Sequence, residues 1–100
     1  MSHLKRKGRK FHRLKGARRS FLRNLANDLV RAEKIETTEA RAKEIRPIVE
    51  RLVTHAKTQT LANRRLILKR VDNKKIMEKL VGILGPRYAG RPGGYLRITK

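Results

Sequence analysis

Residues 38–57 read TEARAKEIRPIVERLVTHAK, and they carry the clearest structural signal in the chain. Apolar residues recur there at every third or fourth position, which predicts a helix with one apolar stripe. The stripe comprises Ile45, Ile48, Val49, Leu52, Val53 and Ala56. Thr37 or Thr38 is suited to cap this helix, with Glu39 in its first turn. Because Pro47 lacks an amide donor, we expect a kink or a restart at that residue.

Three further helices are predicted on either side of this segment. The first spans about residues 18–31, and its apolar positions also repeat at helical spacing. The third spans residues 61 to about 69, with Thr58 or Thr60 as its cap. The fourth spans residues 73–84, begins after a cap at Asp72 and is stopped by Gly85-Pro86. Stripes on successive helices favour packing of the helices on one another.

Two short segments are predicted as strands. In residues 34–37, Ile35 stands between charged neighbours, and residues 95–99 alternate weakly in polarity. The segment GPRYAGRPGG, residues 85–94, is rich in glycine and proline and is predicted as a loop. The expected fold class is therefore α+β, with about four helices packed on a small mixed sheet.

Charge divides the chain into an arm and a body. The formal net charge is +20 over 100 residues, from 28 Lys and Arg against 8 Asp and Glu. Such a charge opposes compaction unless a polyanion neutralises it, which favours nucleic acid or an anionic surface as the partner. Residues 1–16 are basic and lack helical periodicity, so we expect a basic, extended RNA-binding arm there and a compact α/β domain over residues 17–100.

Several functional classes find no support in the residues. The chain has no cysteine, which excludes disulfides and thiolate metal sites and fits a reducing cytoplasm. No apolar run is long enough to span a bilayer, and the N-terminus lacks the apolar stretch that is typical of a secretory signal, although a transit peptide is an alternative for the basic N-terminus. His3, His12 and His55 lack companion ligands, so we expect no metal and no cofactor. No nucleophile and base pattern indicates an enzyme.

The candidate RNA-binding residues form three groups. Arg and Lys neutralise phosphates, and the planar fork of Arg also bridges phosphate oxygens. The first group lies in the arm and the start of the first helix: Lys5, Arg6, Lys7, Arg9, Lys10, His12, Arg13, Lys15, Arg18, Arg19 and Arg23. The second lies on the third helix: Arg64 and Arg65, with Lys69 and Arg70 beside them. The third lies near the C-terminus: Arg87, Tyr88, Arg91, Tyr95 and Arg97.

Each group has an alternative interpretation. The arm can be a solvated tail, and the third helix can present an ordinary solvated surface. Tyr88 and Tyr95 can stack on unpaired bases or close the core. These alternatives are left open by the sequence.

Five ordered blocks resemble one family, the bacterial large-subunit ribosomal protein seventeen family. The blocks are Met1-x-His3-x-Lys5 with Gly8-Arg9-Lys10; Ser20 to Ala26 (SFLRNLA); Ile35 to Thr38 with Ala42-Lys43-Glu44; Ala62 to Leu66 (ANRRL); and Leu84 to Tyr88 with Arg91, Gly93-Gly94-Tyr95 and Arg97-Ile98. The blocks cover essentially the whole chain in order.

The resemblance implies several properties that the residues alone do not give. It implies a structural constituent of the large ribosomal subunit in the cytoplasm, which binds large-subunit ribosomal RNA and stabilises its fold near the exit-tunnel region. It implies neighbouring ribosomal proteins as partners, including the one numbered thirty-two. We expect no membrane partner and no homo-oligomer. Family members usually continue past the equivalent of Lys100 into a turn and a further strand, so the strand at residues 95–99 is expected to need a partner for its edge.

Two other classes of protein share some of these features. A DNA-compacting architectural protein uses similar charge, but it usually needs a dimer and a bending wedge, and no wedge strand is evident. A membrane-active basic peptide also has apolar stripes, but packing between successive helices accounts for them more simply.

Overall fold

The structure, a computed structural model, describes residues 15–99, and these residues form a helical bundle. The elements are α1 Lys15–Ala32, α2 Glu39–Lys57, α3 Leu61–Val71, α4 Lys74–Lys79, a π-helical turn Leu80–Leu84 and α5 Gly85–Arg87. Within the described range, every helix is too short or too polar to cross a membrane.

The helix α2 lies at the centre of the bundle and contacts α1, α3, the π-helical turn and α5. Its predicted apolar stripe is confirmed: Ile45, Val49, Leu52, Val53 and Ala56 are buried, and Ile48 is half-buried. The other helices contribute the rest of the core: Leu22, Ala26, Val30, Ile67, Val71, Ile76, Met77, Leu80, Val81 and Leu84. Ile67 and Leu80 are fully shielded from solvent. The bundle is thus held together by stripes that were visible in the sequence.

The expected α+β class is wrong, because residues 15–99 contain no strand and no sheet. Residues 34–37 are an extended connection between α1 and α2, and Ile35 is half-buried there. Residues 95–99 form neither a helix nor a strand, and the Leu96 amide donates to Glu50 Oε2 of α2 at 3.0 Å. A carboxylate therefore takes the place that a neighbouring strand would occupy. A strand needs a backbone partner for its amides and carbonyls, and neither segment has one within the described residues.

Side-chain caps define the starts of three helices. Thr38 Oγ1 accepts from the Arg41 amide at 3.3 Å, and Thr60 Oγ1 accepts from the Asn63 amide at 3.1 Å. These two predicted caps are confirmed. The cap of α4 is Asn73, whose Oδ1 accepts from the Ile76 amide at 3.1 Å, so the prediction of Asp72 is wrong by one residue. Asp72 instead ends α3 in the left-handed region, with φ 52°.

The restart predicted at Pro47 and the stop predicted at Gly85-Pro86 do not occur, whereas a kink at Pro47 stays a prediction. Helix α2 runs through Pro47 without a restart. Pro47 and Lys43 are not buried, so water can replace the missing amide donor at the Lys43 carbonyl.

The second break was expected at Gly85-Pro86, where the predicted loop 85–94 would begin. The Gly85 amide instead donates to the Leu80 carbonyl, five residues back, in the π-helical turn. Pro86 then falls in the first turn of α5, where its missing amide is tolerated. The helical path consequently continues to Arg87, and the loop is shorter than predicted.

Candidate nucleic-acid interface

A groove of about 690 Å³ runs between α1, α2 and α3. Its floor is apolar and is formed by Leu22, Ala26, Ile48, Leu52, Leu66 and Val71. Its rim is cationic and is formed by Arg18, Arg19, Arg23, Arg51, Lys69 and Arg70. No Asp or Glu of the described residues lines this groove. The groove therefore combines an apolar surface with a concentrated positive potential, and we call it the basic groove.

The helical repeat explains how the basic groove arises from the sequence. Arg18 and Arg19 precede the floor residue Leu22 by four and three positions. Lys69 and Arg70 follow Leu66 by three and four positions. Residues at these spacings lie on the same helical face, so the cations are held beside the floor. The same rule places Arg51 beside Ile48 on α2.

Asn27 also lines the basic groove and connects two of its helices. Its side chain is 7% exposed, and its Nδ2 donates to the Val71 carbonyl at 3.0 Å. This bond joins α1 to the last turn of α3. This carbonyl at the end of a neighbouring helix supplies a partner that allows Asn27 to be buried. Its Oδ1 is buried without a hydrogen-bond partner among the described residues.

An ion pair beside the basic groove connects α1 to α2. The Arg18 guanidinium on α1 donates to Glu44 Oε2 on α2. Both side chains are partly shielded from solvent, with exposures of 27% and 15%. Glu44 does not line the groove, but its carboxylate offsets the charge of Arg18 on the rim.

The structure brings together only part of the first predicted group. Arg18, Arg19 and Arg23 lie on one rim of the basic groove. Lys15 begins α1. The remaining members lie outside the described residues: Lys5, Arg6, Lys7, Arg9, Lys10, His12 and Arg13.

The second predicted group is divided between two surfaces. Lys69 and Arg70 line the basic groove, whereas Arg64 and Arg65 are exposed on α3 and do not line it. Arg51 was missed, because it is a single cation on α2 and does not belong to a run of Lys and Arg. Its position three residues after an apolar stripe residue was the signal that could have identified it.

The tyrosines of the third group pack against the protein itself. The rings of Tyr88 and Tyr95 have centroids 5.4 Å apart at an angle of 53°, and both rings contact the core. Lys57 Nζ donates to the Tyr95 hydroxyl at 2.8 Å and lies 5.1 Å from the ring centroid. The hydrogen bond from Lys57 lowers the pKa of Tyr95. These contacts agree with the alternative in which both tyrosines close the core.

Arg87 forms an ion pair within the protein. Its Nη1 lies 2.5 Å from Glu33 Oε1, and Lys79 Nζ lies 3.0 Å from Glu33 Oε2. The bonds from Arg87 and Lys79 lower the pKa of Glu33 to about 2, and the bond to Glu33 raises the pKa of Arg87. Arg91 and Arg97 are exposed, and Arg91 Nε donates to the Gly93 carbonyl at 3.2 Å. The third group thus contains fewer uncommitted cations than the sequence indicated.

Among residues 15–99, no group of three or more His, Cys, Asp or Glu side chains is placed to hold a metal ion. The lining of the basic groove offers electrostatic and apolar contacts. A polyanion with apolar faces matches both surfaces of the basic groove.

Comparison with known proteins gives a consistent result. The family model of ribosomal protein L17 matches residues 21–100. Two relatives named large ribosomal subunit protein bL17, from Rickettsia bellii strains OSU 85-389 and RML369-C, are each 51% identical over 94 residues. These alignments cover 94% of this chain and 66% of each relative. The chain thus spans about two thirds of the length of these relatives.

Proposed function

The chain belongs to the ribosomal protein L17 family, and we propose from this membership that it is a structural constituent of the large ribosomal subunit. The family is structural and non-enzymatic, and in bacteria it is a component of the cytoplasmic ribosome. The observation that carries the proposal is the family match across residues 21–100. The chain accordingly acts by binding large-subunit ribosomal RNA and stabilising its fold.

The basic groove supplies a physical means for this binding. Six cations and no acid of the described residues line it, so phosphates that approach it release counterions and gain favourable electrostatic energy. Arginine forms five of the six, and its guanidinium can bridge two phosphate oxygens.

A division of labour follows from the distribution of charge. The part of the arm that precedes α1, residues 1–14, adds six cations and no acid to those of the helical body. The helical body docks on the surface of the RNA, and the basic arm threads between RNA elements after docking. The absence of acid in the arm supports this role, because each of its charged side chains can face a phosphate.

The resemblance of the five sequence blocks supports a finer placement. The chain lies near the nascent-chain exit region, beside the ribosomal protein numbered thirty-two, and it enters the subunit as a monomer. Cross-linking of assembled subunits, followed by identification of the linked peptides, tests this placement. Recovery of links only to proteins remote from the exit region would contradict it.

A competition assay tests the RNA-binding proposal. Labelled chain is offered structured large-subunit ribosomal RNA and random duplex DNA of equal phosphate concentration, at about 200 mM salt. We expect the RNA to retain the chain against an excess of DNA, because folded RNA presents shapes that the protein surface matches. Equal partition between the two would favour a general polyanion binder, such as a DNA-compacting protein.

A further inference from the structure

We propose that the basic groove binds one unpaired nucleotide of RNA, with the base on the apolar floor and the flanking phosphates on the cationic rim. This inference rests on the proposed function and specifies the ligand of the basic groove. It concerns the body of the protein and not the arm.

The two sides of the basic groove carry opposed rows of cations. Arg19 and Arg23, one helical turn apart, lie on α1, and Lys69 and Arg70 lie on α3. Each row can hold a phosphate, so a strand that crosses the groove meets positive charge on entering and on leaving. The volume of about 690 Å³ lies within the range of pockets that hold small organic ligands, roughly 300–1,000 Å³, which is enough for one nucleotide.

The apolar floor favours an unpaired nucleotide over an RNA duplex as the ligand. Ile48 and Leu66 are half-buried, and they line the groove together with the cations. The backbone of an RNA helix would contact the rim and leave these side chains against water. A base that is turned out of its stack has an apolar face, and single-stranded loops and bulges present such bases. Covering Ile48 and Leu66 with a base removes apolar surface from water.

Charge argues against the other occupants that this chain itself offers. Residues 1–14 carry six cations and no acid, so they are repelled by the rim. A second copy carries the same net charge of +20. RNA is a polyanion with apolar faces, and it is complementary to both the rim and the floor.

Binding of three synthetic ligands to the full chain tests the proposal. The first is a twelve-nucleotide oligouridine, whose bases are largely unstacked. The second is a ribose-phosphate chain of the same length without bases. The third is an RNA duplex with the same number of phosphates. We expect the oligouridine to bind about tenfold more tightly than the abasic chain, because only it offers an apolar base face that covers the aliphatic floor.

Three variants assign the difference to the basic groove. Leu66→Ala removes part of the floor, and it is expected to weaken oligouridine binding about fivefold while leaving the abasic chain unchanged. Arg51→Gln removes a rim cation, and it is expected to weaken both ligands. Arg46→Gln makes the same change on an exposed part of α2 outside the groove, and its effect on both ligands is expected to be smaller. Helical circular dichroism of each variant verifies that the bundle is folded.

The outcomes separate this inference from the proposed function. Equal binding of oligouridine and abasic chain, or a difference that Leu66→Ala leaves intact, would overturn the nucleotide site. Tighter binding of the duplex than of the oligouridine would also overturn it, and would indicate a site for the backbone of an RNA helix. In each case, retention of large-subunit ribosomal RNA in the competition assay would leave the proposed function standing. Should Leu66→Ala fail to fold, Ile48→Ala removes another half-buried part of the floor, and it is expected to weaken oligouridine binding while leaving the abasic chain unchanged.

Discussion

At Gly85, the backbone of α5 lies directly against the backbone of α2. A Cβ at this position would overlap the Ala56 carbonyl oxygen and lie 2.8 Å from its carbonyl carbon. Both atoms belong to the backbone of the central helix, so they cannot rotate away. The absence of a side chain at Gly85 therefore sets how α5 and the C-terminal segment dock on the bundle.

Replacing Gly85 by Ala is expected to lower the free energy of unfolding by about 3 kcal/mol, because the helices must separate to accept the methyl group. Gly82→Ala is the matched control, since Gly82 is exposed in the same helical segment and a methyl group there would meet no atom within 4 Å. That change is expected to stabilise the chain by about 0.5 kcal/mol through the helix propensity of Ala. Urea denaturation monitored by circular dichroism measures both; similar effects of the two changes would contradict this explanation.

Glu33 joins the end of α1 to two later helical elements. It adopts φ 65°, in the left-handed region that an ordinary residue rarely occupies, and its amide donates to the Leu29 carbonyl at 2.6 Å. Its carboxylate pairs with Lys79 of α4 and Arg87 of α5. A glycine would suit this backbone better, so the ion pairs offer a reason for a glutamate at this position.

The pairing of Glu33 predicts a dependence of stability on pH. Its pKa is about 2 in the folded chain, against an ordinary value of 4.5. A carboxyl with a lowered pKa stabilises the fold above its unfolded pKa, and this contribution is lost as pH falls from about 4.5 to about 2. In Glu33→Gln, the free energy of unfolding should therefore fall less over this interval than in the unmodified chain.

Glu36→Gln is the control for that measurement, because it removes the same charge three residues away. Thermal unfolding at a series of pH values and at low salt compares the three proteins, since salt screens exposed ion pairs. Identical pH profiles for Glu33→Gln and the unmodified chain would contradict the assignment.

At the scale of the helices, periodicity was sufficient to predict the main elements. The stripe from Ile45 to Ala56 identified the central helix, and Thr38 and Thr60 identified two starts. These signals are local, because a helix satisfies its backbone within itself. The strands predicted at residues 34–37 and 95–99 are absent from the described residues, because a strand needs a backbone partner elsewhere in the chain and local alternation does not reveal one. At Leu96 the partner is the Glu50 carboxylate, and no local pattern indicates that contact.

The candidate site was predictable only in part for the same reason. Arg19 and Arg23 were identified from charge density, but their meeting with Arg51 and Lys69 depends on how three helices pack. Likewise, charge alone suggested an RNA contact for Arg87, whereas the structure pairs it with Glu33. Tertiary contacts therefore decide which cations remain available for RNA.

The basic arm should contribute to binding and not to folding. Since α1 begins at Lys15, deletion of residues 1–14 is expected to leave the helical circular dichroism and the melting temperature nearly unchanged. If about six cations of the arm meet phosphates, the deletion should weaken RNA binding by roughly a hundredfold or more at about 50 mM salt and flatten its salt dependence. A variant with these six Lys and Arg residues changed to Gln keeps the length of the arm and isolates the effect of charge. Unchanged affinity in both variants would assign RNA binding to the helical body alone.

At the scale of the whole molecule, charge and folding are linked. A net charge of +20 on 100 residues repels itself, and acids at particular positions offset it locally. Glu44 pairs with Arg18, and Glu33 with Lys79 and Arg87, so these acids join helices. Arg19, Arg23, Arg51, Lys69 and Arg70 line the basic groove, and no acid of the described residues lines it, so these cations give it a positive potential. Bound RNA is therefore expected to stabilise the folded chain as well as to be stabilised by it.

Sedimentation with ribosomal subunits tests the central claim most directly. A tagged chain is produced in a bacterium, and the lysate is separated on a sucrose gradient at high salt, which removes weakly held basic proteins. We expect the chain to sediment with the large subunit and to be absent from the small subunit. Recovery of the folded chain at the top of the gradient, or in equal amounts with both subunits, would contradict it.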